Sequence, residues 1–150
     1  MPTMFDDAAR AAMFARLDRL TSATPRRWGS FTPEQMVFHL NAQVRNVLGE
    51  IRVGPRKMPP FFHWPLFHWL IIDSGMTWPK STPTAPQYLS ESPGELATLV
   101  AELKANMGRV IANGEAKAAT VHPAFGPLSG AKMGRLFWRH WDHHLTQFGL

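Results

Sequence analysis

The chain has 150 residues, of which 45% are hydrophobic, so it is long enough for one domain with a buried core and too short for two. It contains no cysteine, which excludes disulfides, thiolate nucleophiles and cysteine-ligated metal sites. The formal net charge is +5, but no run of Lys or Arg exceeds two residues. We therefore expect a generally basic, solvated surface and no nucleic-acid partner.

Two helices are predicted at the start of the chain. Apolar residues recur at near-helical spacing over Asp6–Leu20, with charged residues on the opposite positions. The segment "FTPEQM" then carries the features of a helix start, with Thr32 as the N-cap, a proline in the first helical position and Gln35 in the capping-box position. A second helix is therefore predicted over Pro33–Leu48, closed by Gly49.

A segment rich in proline and aromatic residues follows the second helix. Gly54–Pro93 contains eight prolines, so no continuous regular structure is expected there apart from a short helical turn around Leu66–Ile72. The apolar run Met58–Ile72 is too short and too rich in proline to cross a membrane. The aromatic residues of Phe61–Trp69 have several possible roles: they cover the core, line a substrate pocket, insert shallowly into a membrane surface or form a dimer interface.

Two more helices are predicted in the second half of the chain. The third begins at "SPGE", a capping-box match with Ser92 as the N-cap, and stops at Gly114. Ser129 is the predicted cap of a fourth helix over Ala131–Phe148, and no strand pattern of comparable strength is present. The elements predict an all-α domain over residues 1–150, a four-helix bundle with a long crossover between helices two and three.

Three of the seven histidines lie in "WRHWDHHLTQFGL" near the end of the chain. His140 and His144 are four residues apart, so on a helix they share one face with Cβ atoms about 5 to 6 Å apart. Apolar residues at the same spacing turn that face inward, whereas His143 is rotated by about 100° and is predicted at the rim. His39 also projects from an apolar face, on the second helix. Since helix bundles build metal sites from side chains on facing helices, these observations make His39, His140 and His144 the candidate metal ligands.

The chemistry of three histidines narrows the choice of metal. Three neutral imidazoles with an open fourth position are the ligand set of a catalytic site, and they suit zinc, nickel, copper or iron(II) better than calcium or magnesium. The alternative is a non-catalytic binding or interaction module, in which the rings are buried neutral histidines satisfied by hydrogen bonds or water. Spacing alone leaves both interpretations open.

Other polar residues near these positions have two interpretations each. His122, in the loop before the fourth helix, either reaches the rim of the site as a proton carrier or caps its loop. Gln43 and Gln147 lie one turn from a predicted ligand, where a carboxamide orients a ring or is simply a polar core residue. Asp142 is predicted to pair with Arg139 at the surface or to accept a hydrogen bond beside the site.

Several motifs together resemble a known family. They are "WGSFTPEQMVFHLN" from Trp28, "WPKSTPTAPQY" from Trp78, and "HPAFGPLSG" followed by "RHWDHHLTQFG". Their sequences and their order are similar to those of the DinB-like (YfiT-like) superfamily of metal-dependent proteins, and most similar to a bacterial branch whose domain has no assigned function. The resemblance extends from about Leu17 to Leu150.

The resemblance implies a fold, a site and a class of chemistry. The fold is a four-helix bundle with a long crossover after helix two, often assembled as a homodimer. The site is a divalent metal, zinc, nickel or iron, held by one histidine of helix two and an H-x-x-x-H pair of helix four, which here are His39, His140 and His144. Activities in the superfamily include transfer and isomerisation that depend on low-molecular-weight thiols, and hydrolysis. We therefore expect a metal-dependent transferase or hydrolase acting on a small molecule in the cytoplasm, with any thiol supplied by a cosubstrate.

Overall fold

Helices form most of the regular structure in the computed structural model, which describes residues 1–80 and 84–150. Within these residues, the longer helices are α1 (Asp7–Leu17), α2 (Pro33–Val47), α4 (Leu96–Asn113) and α5 (Gly130–Gln147). A single-turn helix, α3 (Pro65–His68), runs into a π-helical turn at Trp69–Asp73. Short 3-10 turns lie at Pro60–His63, Pro86–Tyr88 and Glu115–Ala118.

The capping box predicted before α2 is present. The Thr32 hydroxyl accepts the N–H of Gln35 at 3.2 Å, and the Gln35 side-chain oxygen accepts the N–H of Thr32 at 3.0 Å. The helix ends one residue before the predicted Leu48, and Gly49 follows with φ +77°. This reciprocal cap satisfies two N–H groups that have no partner within the helix, and it fixes where the helix carrying His39 begins.

The start of α4 differs from the prediction. The helix begins at Leu96, Glu95 occupies the N-cap position, and no side chain caps the helix, so the predicted Ser92 cap is wrong. The physical reason is Gly94, whose φ of +111° is outside the helical region and interrupts the "SPGE" segment. The helix ends beside Gly114 as predicted.

The other two long helices agree more closely with the sequence. The Ser129 side chain caps α5 by accepting the N–H of Lys132 at 3.3 Å, as predicted. At the other end of the chain, α1 is shorter than the predicted Asp6–Leu20, because Asp6 serves as its N-cap and the chain leaves the helix after Leu17.

A small antiparallel sheet corrects the all-α prediction. Strands β1 (Thr120–His122) and β2 (Gly126–Leu128) pair through Thr120 with Leu128 and His122 with Gly126. Strands of three residues are too short to show an alternating pattern, which is why the segment "HPAFGPLSG" was expected to be a loop. The fold is therefore mostly helical with one two-stranded sheet, whose turn lies beside the candidate functional site.

The core lies between the long helices. Helix α2 packs most extensively against α4, and α5 packs against α1 and the Glu115–Ala118 turn. Fully buried side chains are contributed by all four long helices, and they include Met13, Leu17, Met36, Leu40, Leu103, Met107, Phe137, Trp141 and Leu145. The face of α5 that carries His140 and His144 is thus held against the rest of the molecule.

The crossover contains the predicted helical turn and splits its aromatic residues into two groups. Phe62 and Phe67 are partly buried against the core and pack on Phe125, in the turn that joins β1 to β2, called the β-turn here. The side chains of Trp64, Leu66 and Trp69 are instead 59%, 72% and 54% exposed. Residues 81–83, within the motif "WPKSTPTAPQY", lie outside the described residues. In the part of the chain that the structure describes, no helix combines the length and apolar character needed to cross a membrane.

Candidate metal centre

The structure brings the three predicted histidines together. His39 projects from α2 and is 2% exposed, while His140 and His144 project from α5 and are 7% and 9% exposed. One ring nitrogen from each residue lies within 4.8 Å of the other two. The Nε2 atoms of His39 and His140 are 3.0 Å apart. The three rings therefore form one buried cluster of potential metal ligands.

Burial keeps these rings neutral. It lowers the pKa of His39 to about 4 and that of His144 to about 3, and it holds the pKa of His140 well below its usual range. The neighbouring histidines of the cluster lower the pKa of His140 further. Near pH 7 each ring is uncharged and retains one nitrogen lone pair, which is the form that binds metals.

Gln147 sets the orientation of the His144 ring. Its side-chain N–H donates to the carbonyl of Trp28 at 2.8 Å, so its oxygen must face the other way. That oxygen lies 2.9 Å from the Nδ1 of His144 and accepts its proton. The Nε2 of His144 is then left with a lone pair directed away from Gln147. The predicted orienting role of Gln147 thus has a direct structural basis.

His39 is oriented by a backbone group. Its Nδ1 lies 3.3 Å from the carbonyl of Tyr88, which can only accept, so Nδ1 carries the proton and Nε2 carries the lone pair. Tyr88 lies in the crossover and packs edge-on against the His39 ring. The crossover therefore helps to position a residue of α2.

His140 differs from the other two. Its Nδ1 is buried and has no hydrogen-bond partner among the described residues. Its Nε2 can donate a proton to the lone pair of His39, or it can hold a lone pair of its own beside the other two. With a lone pair on its Nε2, His140 can bind a metal together with His39 and His144, each through one ring nitrogen.

The separation of His39 and His140 is close to that of two metal ligands, and the ligand nitrogens of all three residues lie within 4.8 Å of one another. Ligand nitrogens about 2.0 to 2.1 Å from a tetrahedral ion are about 3.3 to 3.4 Å apart, so the 3.0 Å separation of His39 and His140 needs to open by only a few tenths of an ångström. Among the described residues, no carboxylate joins the group. The donor set thus fits a borderline transition metal with nitrogen ligands and does not fit a hard cation such as calcium or magnesium.

A large cavity opens onto the three histidines. Its volume is about 610 Å³. Most of its lining side chains are aromatic or aliphatic, and they come from the loop before α2, the crossover, the β-turn and α5. The aromatic ones include Trp28, Phe62, Phe67, Trp78 and Phe125. A cavity of this size and character is typical of small-molecule sites.

Three other predicted residues also line this cavity. His143 is partly buried in the cavity wall, with its ring beside those of Trp28 and Trp78 at centroid distances of 6.0 and 5.8 Å. His122 is part of the wall formed by the β-turn. Gln43 lines the cavity without a hydrogen bond to the three histidines. The predicted positions of all three near the site are therefore consistent with the structure.

Asp142 does not pair as the sequence suggested. Its carboxylate forms an ion pair with Arg16 of α1 at 2.6 Å, and Arg139 donates instead to the carbonyl of Met76. The reason is that α1 packs against α5 and presents Arg16 to this face. Asp142 therefore links two helices outside the histidine cluster.

Comparison with known proteins adds no identification. None of the family models, curated proteins or solved structures compared with this chain matches it. The resemblance to the DinB-like superfamily consequently stays an expectation, and the chemistry of the site rests on its own residues.

Sequence reasoning missed two backbone groups of the site and one residue of the cavity wall. The carbonyl of Tyr88 orients His39, and the carbonyl of Trp28 fixes the direction of the Gln147 side chain. Both are backbone groups, so no residue type could have indicated them. Arg56, which also lines the cavity, lies in the crossover, where no periodic pattern shows which side chains point inward.

Proposed function

We propose that this protein binds one divalent transition metal through His39, His140 and His144 and uses it to act on a small molecule in the adjoining cavity. The observation that carries the proposal is the convergence of three buried, neutral imidazoles from two helices at the wall of an apolar cavity. Three histidines without a further protein ligand are typical of catalytic sites rather than closed structural ones. Zinc, nickel and iron(II) all suit this ligand set.

The DinB-like resemblance is part of the same proposal. The H-x-x-x-H pair of α5 and the single histidine of α2 occupy the positions that the resemblance implies. We infer a DinB-like four-helix bundle built from α1, α2, α4 and α5, with the long crossover between α2 and α4. The packing of α2 against α4 and of α1 against α5 supports this arrangement.

The reaction class we propose is a thiol-dependent transfer or a hydrolysis. A divalent ion in such a site supplies Lewis acidity and lowers the pKa of a bound thiol or water. The chain contributes the orientation of the ligand rings through Gln147 and Tyr88, and a cavity whose lining is mostly apolar. Because the chain has no cysteine, a thiol nucleophile has to come from a low-molecular-weight cosubstrate.

A second candidate function is a non-catalytic module that binds an apolar ligand. It is favoured by the aromatic lining of the cavity and by the hydrogen bond that His39 and His140 can form without any metal. The two candidates differ in how a chelator affects the stability of the protein. A bound metal stabilises the native state by mass action, so its removal lowers the melting temperature, whereas the melting temperature of a metal-free module does not change.

Metal analysis of the untagged protein tests the proposal. We expect about one transition metal per chain after purification without chelator, a lower melting temperature after chelation, and recovery on adding zinc. His143→Ala is a matched control, because His143 lines the same cavity but is outside the cluster. Retention of stoichiometric metal when His39, His140 and His144 are all replaced by Ala would overturn the proposal. Absence of metal together with a chelator-insensitive melt would favour the binding module.

A further inference from the structure

His122 occupies a distinct part of the cavity wall, at the end of β1. Its Nδ1 accepts the backbone N–H groups of Ala124 and Phe125 at 3.2 and 3.4 Å. Because an atom that accepts these bonds cannot carry a proton, the neutral ring has its proton on Nε2. The turn that follows β1 thus fixes both the tautomer and the orientation of this histidine.

The free edge of the His122 ring is a hydrogen-bond donor. Its Nε2 makes no hydrogen bond within the part of the chain that the structure describes. The ring stacks on Phe125, with 4.8 Å between centroids, so it cannot turn without losing this contact and both bonds to the turn. Burial, and secondarily the charge of His68, lowers the pKa of His122 to about 4, so the ring stays neutral at physiological pH. The cavity wall therefore presents a fixed N–H group.

Arg56 is joined to the same turn. Its backbone N–H donates to the carbonyl of Pro123, the residue after His122, at 2.8 Å. Arg56 also lines the cavity, and it carries the permanent charge among the described lining residues, which are otherwise mostly apolar. Neither His122 nor Arg56 belongs to the three-histidine cluster. A cation and an N–H donor thus lie on one wall, with aromatic side chains around them.

We propose that this wall binds the carboxylate of an apolar organic acid, with His122 donating its Nε2–H to the carboxylate and the positive charge of Arg56, which also lines the cavity, attracting it to this wall. The hydrocarbon or aromatic body of the acid then lies against Phe62, Phe67 and Phe125. Hydrogen bonds to an ionised acceptor are about twice as strong as neutral ones, particularly where water is excluded. The inference takes the cavity as the substrate pocket of the proposed function and names the class of molecule it accepts.

The test compares an acid with a neutral molecule of the same skeleton. The probes are 4-phenylbutyrate and 4-phenylbutanol, titrated calorimetrically into metal-free and zinc-loaded protein. We expect the acid to bind at least tenfold more tightly than the alcohol in both forms, since only the acid carries the negative charge that Arg56 attracts and that strengthens the hydrogen bond from His122. Equal binding of the two probes, or no binding of either, would overturn the proposal.

His122→Asn removes the donor while keeping the turn. The asparagine side-chain oxygen can accept the same backbone N–H groups as the Nδ1 of His122, but its amide does not reach the cavity as Nε2 does. We expect about tenfold weaker binding of the acid and a much smaller effect on the alcohol. The melting temperature is expected to fall, because the variant loses the ring that stacks on Phe125. Arg56→Gln is expected to act in the same direction. Arg52→Gln and His143→Asn are the matched controls, since Arg52 is exposed outside the cavity and His143 lines another part of it.

The outcomes separate this inference from the metal proposal. If the protein binds no zinc but still selects the acid through His122, the metal proposal fails and the inference stands. If the acid binds only to zinc-loaded protein and His122→Asn leaves its affinity unchanged, the carboxylate binds elsewhere and the inference fails. Nitrogen NMR of histidine-labelled protein provides a ligand-free check. A His122 ring protonated on Nδ1 would contradict the inference even if the variant failed to fold.

Discussion

Gln147 illustrates how a single side chain prepares the candidate site. It connects the His144 ring to the carbonyl of Trp28, in the loop before α2. The carbonyl fixes the direction of the amide, and the amide fixes the tautomer of the ring. Through this chain of two hydrogen bonds, a loop far away in sequence controls which nitrogen of His144 carries a lone pair.

Replacing Gln147 with Leu is expected to weaken zinc binding about 10- to 100-fold, because partners that orient metal-ligating histidines typically contribute this much. Competitive titration against a chromophoric chelator measures the change. Gln43→Leu is the matched control, since Gln43 also lines the cavity but makes no hydrogen bond to the cluster. Equal zinc affinity of the two variants would show that Gln147 only fills space.

The sequence identified the ligand candidates better than their partners. The spacing of His140 and His144, and the apolar face around His39, follow from helix geometry alone. The partner of Asp142 could not be read from its own helix, because Arg16 comes from α1. The interpretation in which His122 caps its loop is confirmed, since its Nδ1 accepts two backbone N–H groups of the turn, although the sequence did not show which two.

At the scale of elements, helix starts were predictable where the cap is local. Thr32 and Ser129 form the bonds that their positions indicate, since a cap and its first turn lie within four residues. The start of α4 was not predictable in this way. A capping motif was present around Ser92, but the positive φ of Gly94 delays the helix, and its sequence alone did not indicate that conformation.

The packing of α5 against the Glu115–Ala118 turn leads to a test with two glycines. A Cβ on Gly130 would lie 1.7 Å from the carbonyl oxygen of Glu115, whereas a Cβ on Gly108 of α4 would meet nothing within 4 Å. We expect Gly130→Ala to lower the free energy of unfolding by at least about 1 to 3 kcal/mol, since the backbone must shift. Gly108→Ala should raise it by roughly 0.5 to 1 kcal/mol, because alanine is the better helix former.

Urea unfolding of both variants beside the unmodified chain measures these changes. Similar effects of the two substitutions would contradict the close approach of α5 to the turn. A selective loss at Gly130, with no loss at Gly108, would support the position from which α5 presents its two histidines.

At the scale of the whole molecule, the convergence of the site is a tertiary property. His39 and His140 are 101 residues apart in sequence, and their rings meet only because α2 and α5 come together in the fold. Helix periodicity shows that each face is apolar, but it cannot show which faces meet. The family resemblance supplied that expectation, and the structure independently places the three rings in one cluster.

The sequence also did not show which side chains of the crossover are buried. It left several roles open for Phe61–Trp69, and in the structure Phe62 and Phe67 are partly buried against the core while Trp64 and Leu66 are largely exposed. Irregular segments have no fixed period, so the pattern of residues does not assign their side chains to one face. The same reason explains why Arg56 was not foreseen in the cavity wall.

X-ray absorption spectroscopy of the zinc-loaded protein tests the metal site most directly. We expect three imidazole nitrogens at about 2.0 to 2.1 Å from the ion, together with one or two oxygen ligands from solvent. The spectrum of the His39→Ala variant should show two imidazole ligands in place of three, whereas His143→Ala should leave the spectrum unchanged. A zinc site with fewer than three imidazoles, or a spectrum that is the same with and without His39, would contradict a metal centre built from α2 and α5.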